Sequence, residues 1–393
     1  MPSLEVRPSP PASVPAEPES PTLSPPKTIR DIFPAVTKAH ILNCAYPRWH
    51  PVYRALTPKT RIVPLTPDFI SYLREDGIVL PSDETQISSL SDSEDDSDPE
   101  PEDDDSDSED GTAAASSIPP NDRFPDLHTE IKNTIASLDG RVAPKLNWSA
   151  PKDASFMSVS NTIECRSPGE IYLLLKSSDF ITHDLEHAFD DCIDTPLLTG
   201  EDSVEAKDIN YSLVLRKWFN VNPSMEFRVF VRGRKIIGIT QRELNHFDFL
   251  QGMTEELVDV IQEFFEDKLK NTFPDGSFVF DCYVPSNEGK SKRVWLIDIN
   301  PFAPRTDPIL FSWMELLEME IEERTPELRL VKHDDPEAYN FVTPQYSSSK
   351  MPQEVVEAGL QGDEAVWEFA ARWKDIVNRM ENSDAERRAQ QEN

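Results

Sequence analysis

Glycine-rich phosphate loops are missing from this 393-residue chain, which has only 12 glycines. Neither G-x-x-x-x-G-K-[ST] nor G-x-G-x-x-G occurs, so P-loop, Rossmann and protein-kinase folds are disfavoured. There is no G-x-S-x-G elbow, which removes the nucleophile turn of the α/β-hydrolases. Cysteine is scarce: Cys44, Cys165, Cys192 and Cys282 form no C-x-x-C pair and no zinc-type spacing with histidine. The pair His183 and His187 has helical H-x-x-x-H spacing, but it carries Asp184 where zincins carry Glu, and no third ligand is evident. An ordinary helix face is the better reading. The N-terminus lacks the continuous apolar core of a secretory signal, so reduced thiols and a cytoplasmic location are expected. No run reaches the roughly 18 apolar residues of a membrane span, and none is expected. Internal repeats are absent too.

Lys and Arg are absent between Arg74 and Arg123. The stretch from Glu75 to Asp122 holds 18 acids, 13 of them between Asp92 and Asp110. Setting these aside changes the net charge from −33 to −15. The rest is still acidic, so nucleic acid is not an expected partner. A self-repelling acidic run reads as a disordered insertion over 81–122. Residues 1–29 contain nine prolines and few large apolar side chains, and read as a disordered leader. Folded sequence is expected over 30–80 and 123–320. A C-terminal segment, 321–381, ends in an amphipathic helix over Glu364–Met380 with an apolar stripe through Val366, Phe369, Trp373 and Met380. Residues 382–393 form a charged tail.

Periodicity and punctuation predict helices over Pro67–Leu73, Asp126–Leu138, Ser178–Ala188 and Thr254–Leu269. Ser167-Pro168-Gly169-Glu170 reads as a capping box opening a helix to Lys176. Asp307-Pro308 is expected to cap another, with Leu310, Phe311, Trp313, Met314 and Leu317 as its apolar side. Strands are expected over Arg141–Leu146 and Tyr211–Phe219, and in a hairpin of Glu226–Arg232 with Lys235–Arg242 around Gly233-Arg234. Two further strands flank the loop Pro285–Lys292. Mixed helices and strands give the α+β class, with α/β the alternative.

Those last two strands, F-V-F-D-C-Y-V from Phe278 and R-V-W-L-I-D-I-N-P-F from Arg293, organise the chain. Strand alternation puts Trp295, Ile297 and Ile299 on one side, with Leu296, Asp298 and Asn300 on the other. Asp281 is the only charge in the first strand. A buried carboxylate needs a partner. Three hard oxygen ligands suit Mg²⁺, while a nearby Lys or Arg is the competing explanation. Lys145, Arg216, Lys217, Arg228 and Arg242 lie on or beside apolar strands. With Phe227, Val229 and Val231 on the opposite face from Arg228, a sheet with an apolar back and a charged front describes a phosphate-and-metal site. Ordinary ion pairs are the alternative.

The blocks Pro144–Ala154 (P-K-L-N-W-S-A-P-K-D-A), Leu174–Thr182 (L-L-K-S-S-D-F-I-T), Leu215–Trp218 (L-R-K-W), Glu226–Arg228 (E-F-R), Gly238–Arg242 (G-I-T-Q-R) and Ile297–Phe302 (I-D-I-N-P-F) closely resemble the cell division cycle protein 123 family. The resemblance implies an ATP-grasp fold, in which ATP and Mg²⁺ lie between two α+β subdomains. It implies an assembly factor for eukaryotic translation initiation factor 2 that binds the gamma subunit and supports translation initiation and cell-cycle progression; a monomer is expected. By the same resemblance Lys145 is the first nucleotide lysine and Lys176 stands where the second is expected. Asn147, Ser149, Ala150 and Asp153 belong to a phosphate lid, with serine and alanine in place of a glycine run. Arg216, Lys217, Trp218 and Phe219 form the hinge beside adenine. Arg228, Gln241 and Arg242 meet phosphate, and Asp281, Asp298 and Asn300 hold the metal. A true ATP-grasp ligase forming an acyl phosphate is the alternative function.

Overall fold

The computed structural model describes residues 35–82, 118–190, 192–193, 209–285, 293–319 and 325–333. The expected leader, most of the acidic insertion, and the C-terminal helix and tail lie outside the described residues. The remainder is a mixed α+β structure with two sheets. Among the described residues no helix is long and apolar enough to cross a membrane, and all four cysteines are buried free thiols.

The first sheet has three antiparallel strands in the order β1-β3-β2: β1 is Thr60–Pro64, β2 Val142–Lys145 and β3 Ser212–Lys217. Pro144 sits on the edge strand β2, where a missing N–H is tolerated. Helices α1 (Lys38–Asn43), α2 (Tyr46–Tyr53), α3 (Pro67–Arg74), α4 (Pro125–Ser137), α5 (Pro168–Lys176) and α6 (Asp179–Glu186) accompany this sheet. The Thr66 side chain caps α3 and Ser178 caps α6, as their positions suggest. Gly140, at φ 76°, closes the turn after α4. Ser167 caps α5, but Glu170 reaches back to the Arg166 N–H (2.5 Å) rather than completing the box on Ser167 itself.

The second sheet has five strands in the order β7-β6-β4-β5-β8: β4 is Glu226–Arg232, β5 Lys235–Gln241, β6 Phe278–Tyr283, β7 Trp295–Pro301 and β8 Glu327–Arg329. Gly233 and Arg234 both have positive φ (56° and 61°), which closes the β4–β5 hairpin with the twist strands prefer. Strand β8 joins parallel to β5; its three residues are too few to show a period of two in the sequence.

Helix α7 (Thr254–Phe264) continues as a π-turn over Phe265–Leu269. Its Leu257, Ile261, Phe264, Phe265 and Leu269 pack on the back of the second sheet, where Phe265 stacks with Phe280 at 6.2 Å. The front of the sheet at its other end carries a smaller cluster of Phe230, Val279, Phe302, Phe311 and Trp313. The helix expected after Asp307-Pro308 begins later. Helix α8 is Trp313–Glu318, with Ser312 and Glu315 forming a true capping box. Phe311 instead turns onto Gly238, whose absent Cβ would lie 2.8 Å from the Phe311 ring. Gly238→Ala therefore overpacks this cluster and should lower stability by about 1–3 kcal/mol. In a urea-melt double-mutant cycle, Gly238→Ala with Phe311→Leu should lose less than the two single changes summed.

Candidate functional site

The site is built by strand pairing. Thr240, Arg228, Asp281 and Asp298 are successive cross-strand partners on β5, β4, β6 and β7, so their side chains form a row across the front of the second sheet. One irregularity completes the row. The β6–β7 register shifts after Asp281, with Cys282 opposite Leu296, so Ile297 is a bulged residue. The bulge corrects the simple alternation expected for β7: Leu296 joins Ile299 in the buried core rather than sharing a face with Asp298. It also turns the Ile297 carbonyl outward to accept a bond from Arg216 Nη1 (3.1 Å) on β3 of the first sheet.

A second link between the sheets runs beside it. Lys145 Nζ, fully buried at the end of β2, donates to both oxygens of Asp298 at 2.7 and 2.6 Å. Burial pushes the Lys145 ammonium down from its ordinary pKa, and the Asp298 carboxylate opposes that shift. The Tyr46 ring from α2 lies 5.4 Å from the same ammonium. Next along the row, Arg228 grips Asp281 with two bonds, Nε to Oδ1 at 2.8 Å and Nη2 to Oδ2 at 2.9 Å. Arg242 Nε stands 3.4 Å from the same carboxylate and 3.8 Å from Glu226. Burial works against the Asp281 charge, but Arg228 and Arg242 outweigh it and hold the carboxyl well below the usual carboxylate range. Both acids thus have a basic partner.

The other sequence-derived residues are placed unevenly. Asn147 is buried and structural: its amide donates to the Asn210 carbonyl (3.1 Å), and its side-chain oxygen accepts from the Ser212 N–H (2.9 Å). Ser149 donates to Asp184 (2.7 Å), and Ala150 packs against the main core. Asp153 accepts from Ser178 Oγ (2.6 Å) and the Phe180 N–H, tying the lid loop to the start of α6. The loop closes with a short 3₁₀ helix, Lys152–Met157. Lys176 donates to the Tyr72 and Glu75 carbonyls at 2.6 and 2.7 Å, a setting apart from the acid row. Lys217 pairs with Asp139 at the exposed end of β3. Gln241 is buried and bonds the Glu243 and Asn245 carbonyls. Phe219, partly exposed, meets Tyr283 edge-on at 6.4 Å.

Three contributors were not singled out from the sequence. Tyr46 is one. Lys152 is another: burial and the nearby Arg242 lower its pKa to about 8, with Glu226 and Asp281 opposing. Its place beside Asp153 in the quoted P-K-D-A block was the available signal. The third is Asp184, read only as part of the histidine pair. It is fully buried and accepts from the Ser149 N–H (2.8 Å), the Ser149 hydroxyl and the Trp148 N–H (3.3 Å). Burial raises its carboxyl pKa and the Ser149 bonds oppose this.

Do these residues fit a magnesium ion? No group of three or more His, Cys, Asp or Glu suited to a metal occurs among the described residues, so a third ligand must be neutral. Asn300 supplies one. It follows Asp298 by two residues, and its amide nitrogen is buried with no hydrogen-bond partner among the described residues. Which end of a carboxamide is oxygen is assigned from its partners, and turned over, Asn300 presents an oxygen. Two carboxylates and an amide oxygen are a hard-ligand set matched to Mg²⁺. Trp218 carries the other relevant orphan, an indole N–H directly after β3 that is buried with no hydrogen-bond partner among the described residues.

This geometry defines an α+β protein whose two sheets meet at a row of paired charges. The chain belongs to the D123 family, whose model matches residues 49–359. It is 47% identical over 401 residues to the translation initiation factor eIF2 assembly protein of Emericella nidulans, covering 90% of this chain and 94% of that one. It is 43% identical over 418 residues to cell division cycle protein 123 of Aspergillus terreus, covering 91% and 94% respectively. The solved structure of C-terminally truncated Cdc123 from Schizosaccharomyces pombe is similar at a TM-score of 0.61 and 36% identity, covering 76% of this chain and all of that one.

Asp281→Ala leaves the buried Arg228 guanidinium uncompensated and should cost about 3–5 kcal/mol of stability. Adding Arg228→Met should recover much of that loss. The folded carboxyl is depressed, so its stabilisation is complete above the unfolded-state pKa and fades as pH falls from there through the folded one. In denaturant melts the gap between wild type and Asp281→Ala should stay constant from pH 7 down to about 5, then begin to narrow only near or below the ordinary Asp value of about 3.9.

Proposed function

We propose that this chain is an assembly protein for eukaryotic translation initiation factor 2, and that it binds that factor's gamma subunit with ATP and Mg²⁺ held between its two sheets in an ATP-grasp arrangement. The observation that carries this reading is the junction itself. Lys145 of the first sheet meets Asp298 of the second, beside Arg228, Arg242 and Asp281, in a chain whose relatives are named for assembly of that factor. Two sheets meeting at such a row of charges suit a nucleotide whose phosphates need cations and whose metal needs carboxylates.

Each residue has a role in that reading. Lys145, Arg228 and Arg242 would neutralise phosphate oxygens. Asp298, Asn300 and Asp281 would hold Mg²⁺, which supplies charge neutralisation between phosphates. Trp218 offers its unpartnered indole N–H and an apolar ring to the base, with Phe219 beside it. The lid loop is fixed by Asp184 and Asp153, so its part is to shape the wall of the cleft and position Lys152. Lys176, held by two carbonyls on α3 and the turn after it, acts on the fold. Binding energy from a metal nucleotide can order the two sheets against each other and stabilise a partner-binding conformation without any bond being made. The protein would act as a cytoplasmic monomer and support translation initiation and, through it, cell-cycle progression.

Pull-down of the purified gamma subunit tests this directly. Stoichiometric complex that strengthens with Mg·ATP, with no modification of the partner, is the expected result. Asp298→Ala should weaken ATP binding by calorimetry at least about tenfold, equivalent to about 1.4 kcal/mol, and weaken capture in parallel. Covalent labelling of the gamma subunit from ATP would favour the ligase alternative instead.

The lysine at 152 gives a pH signature. Its ammonium loses charge as pH rises through about 8. Affinity for Mg·ATP should therefore fall between pH 7 and pH 9, and Lys152→Met should flatten that dependence.

A further inference from the structure

We propose that the cleft admits a divalent metal and a polyphosphate only together, by an exchange of partners in which the metal takes Asp298 from Lys145 while a phosphate takes Lys145 from Asp298. This rests on the nucleotide reading above and adds the rule by which its ligands enter.

The starting state is closed to either ligand alone. Both oxygens of Asp298 are held by Lys145, at 2.7 and 2.6 Å. Both oxygens of Asp281 are held by Arg228, at 2.8 and 2.9 Å, with Arg242 also in range. A bare cation that displaced Lys145 would leave a fully buried ammonium without its hydrogen-bonded counter-charge and with only Asp184 beyond it, a costly outcome for a buried pair. A bare polyphosphate that captured Lys145 would leave the Asp298 carboxylate beside its own negative charge, which is also unfavourable. Arriving as a complex, the ligand supplies the replacement partner for both groups at once.

The field in the cleft points the same way. Lys145, Lys152, Arg216, Arg228 and Arg242 outnumber Asp184, Glu226, Asp281 and Asp298. This excess of positive charge repels a free cation and attracts an anionic metal–phosphate complex. Two features keep the exchange local. The Tyr46 ring stays 5.4 Å from the Lys145 ammonium and offers a cation–π contact while it changes partner. Arg216 bonds the Ile297 carbonyl, so the sheets remain linked when the Lys145–Asp298 bond opens.

The test is calorimetry on the full chain with three titrants: MnCl₂ alone, ATP in EDTA, and MnCl₂ in saturating ATP. For wild type, ATP should raise Mn²⁺ affinity by about 10- to 100-fold, within the usual range of site coupling, and Mn²⁺ should raise ATP affinity by the same factor. Lys145→Met should bind Mn²⁺ without nucleotide at least tenfold more tightly than wild type, and its coupling should fall towards one. Lys145→Gln carries the same arm if the Met variant does not fold, with circular dichroism melts to decide. ATP binding with a coupling below twofold would overturn the exchange and leave the nucleotide site standing, as would a folded Lys145 variant with no gain in metal affinity. No ATP binding under any condition would instead remove the nucleotide reading itself.

Discussion

The structure turns on the ion pair between Lys145 and Asp298. A lysine with no solvent exposure carries a large desolvation cost, and it is placed at the end of a short edge strand where Asp298 meets it. Replacing such a pair by apolar residues is often neutral or stabilising, so stability alone is a poor reason for it. What the pair does is join two sheets that share no strand. The neighbouring bond from Arg216 to the bulged Ile297 carbonyl reinforces the same seam. Contacts made of charges can be rearranged by other charges, which is the physical basis of the function proposed above.

Around that seam, polar groups fall into two classes. One class is committed to the scaffold. Asn147 ties β2 to β3, Asp184 and Asp153 pin the loop after β2, and Gln241 anchors the turn after β5. The other class lies along the charged row at the seam: Lys145, Arg228, Arg242, Asp281, Asp298 and Asn300. The first class holds the second in register, as a preorganised site requires. The apolar back of the second sheet does the same on a larger scale, since Phe278 and Phe280 locked against α7 fix the strands that carry Asp281 and Asp298.

Much of this was legible in the sequence. Long periodic segments gave α4, α7 and the β4–β5 hairpin, because those patterns repeat over enough residues to be distinctive. The apolar back and charged front of β4 followed from alternation. Of the two explanations weighed for these acids, a basic partner is the one observed: Lys145 for Asp298 and Arg228 for Asp281. The bulge at Ile297 was not legible: one inserted residue changes the phase of a strand without changing its composition. The late start of α8 went unseen because Asp307-Pro308 resembles a helix cap, whereas the Asp307 carbonyl accepts from Arg228. The structural duties of Asn147, Asp153 and Gln241 depend on long-range partners, and no local spacing encodes those. Family resemblance placed all three near the right loops but could not divide scaffold from site.

The most direct measurement is a crystal structure of the chain grown with ADP and Mn²⁺, with anomalous scattering to locate the metal. The account predicts a manganese peak coordinated by Asp298 and Asn300 beside Asp281, the Asn300 amide turned to present oxygen, and Lys145 moved from Asp298 to a phosphate oxygen. An intact Lys145–Asp298 bond with the nucleotide bound elsewhere would contradict it.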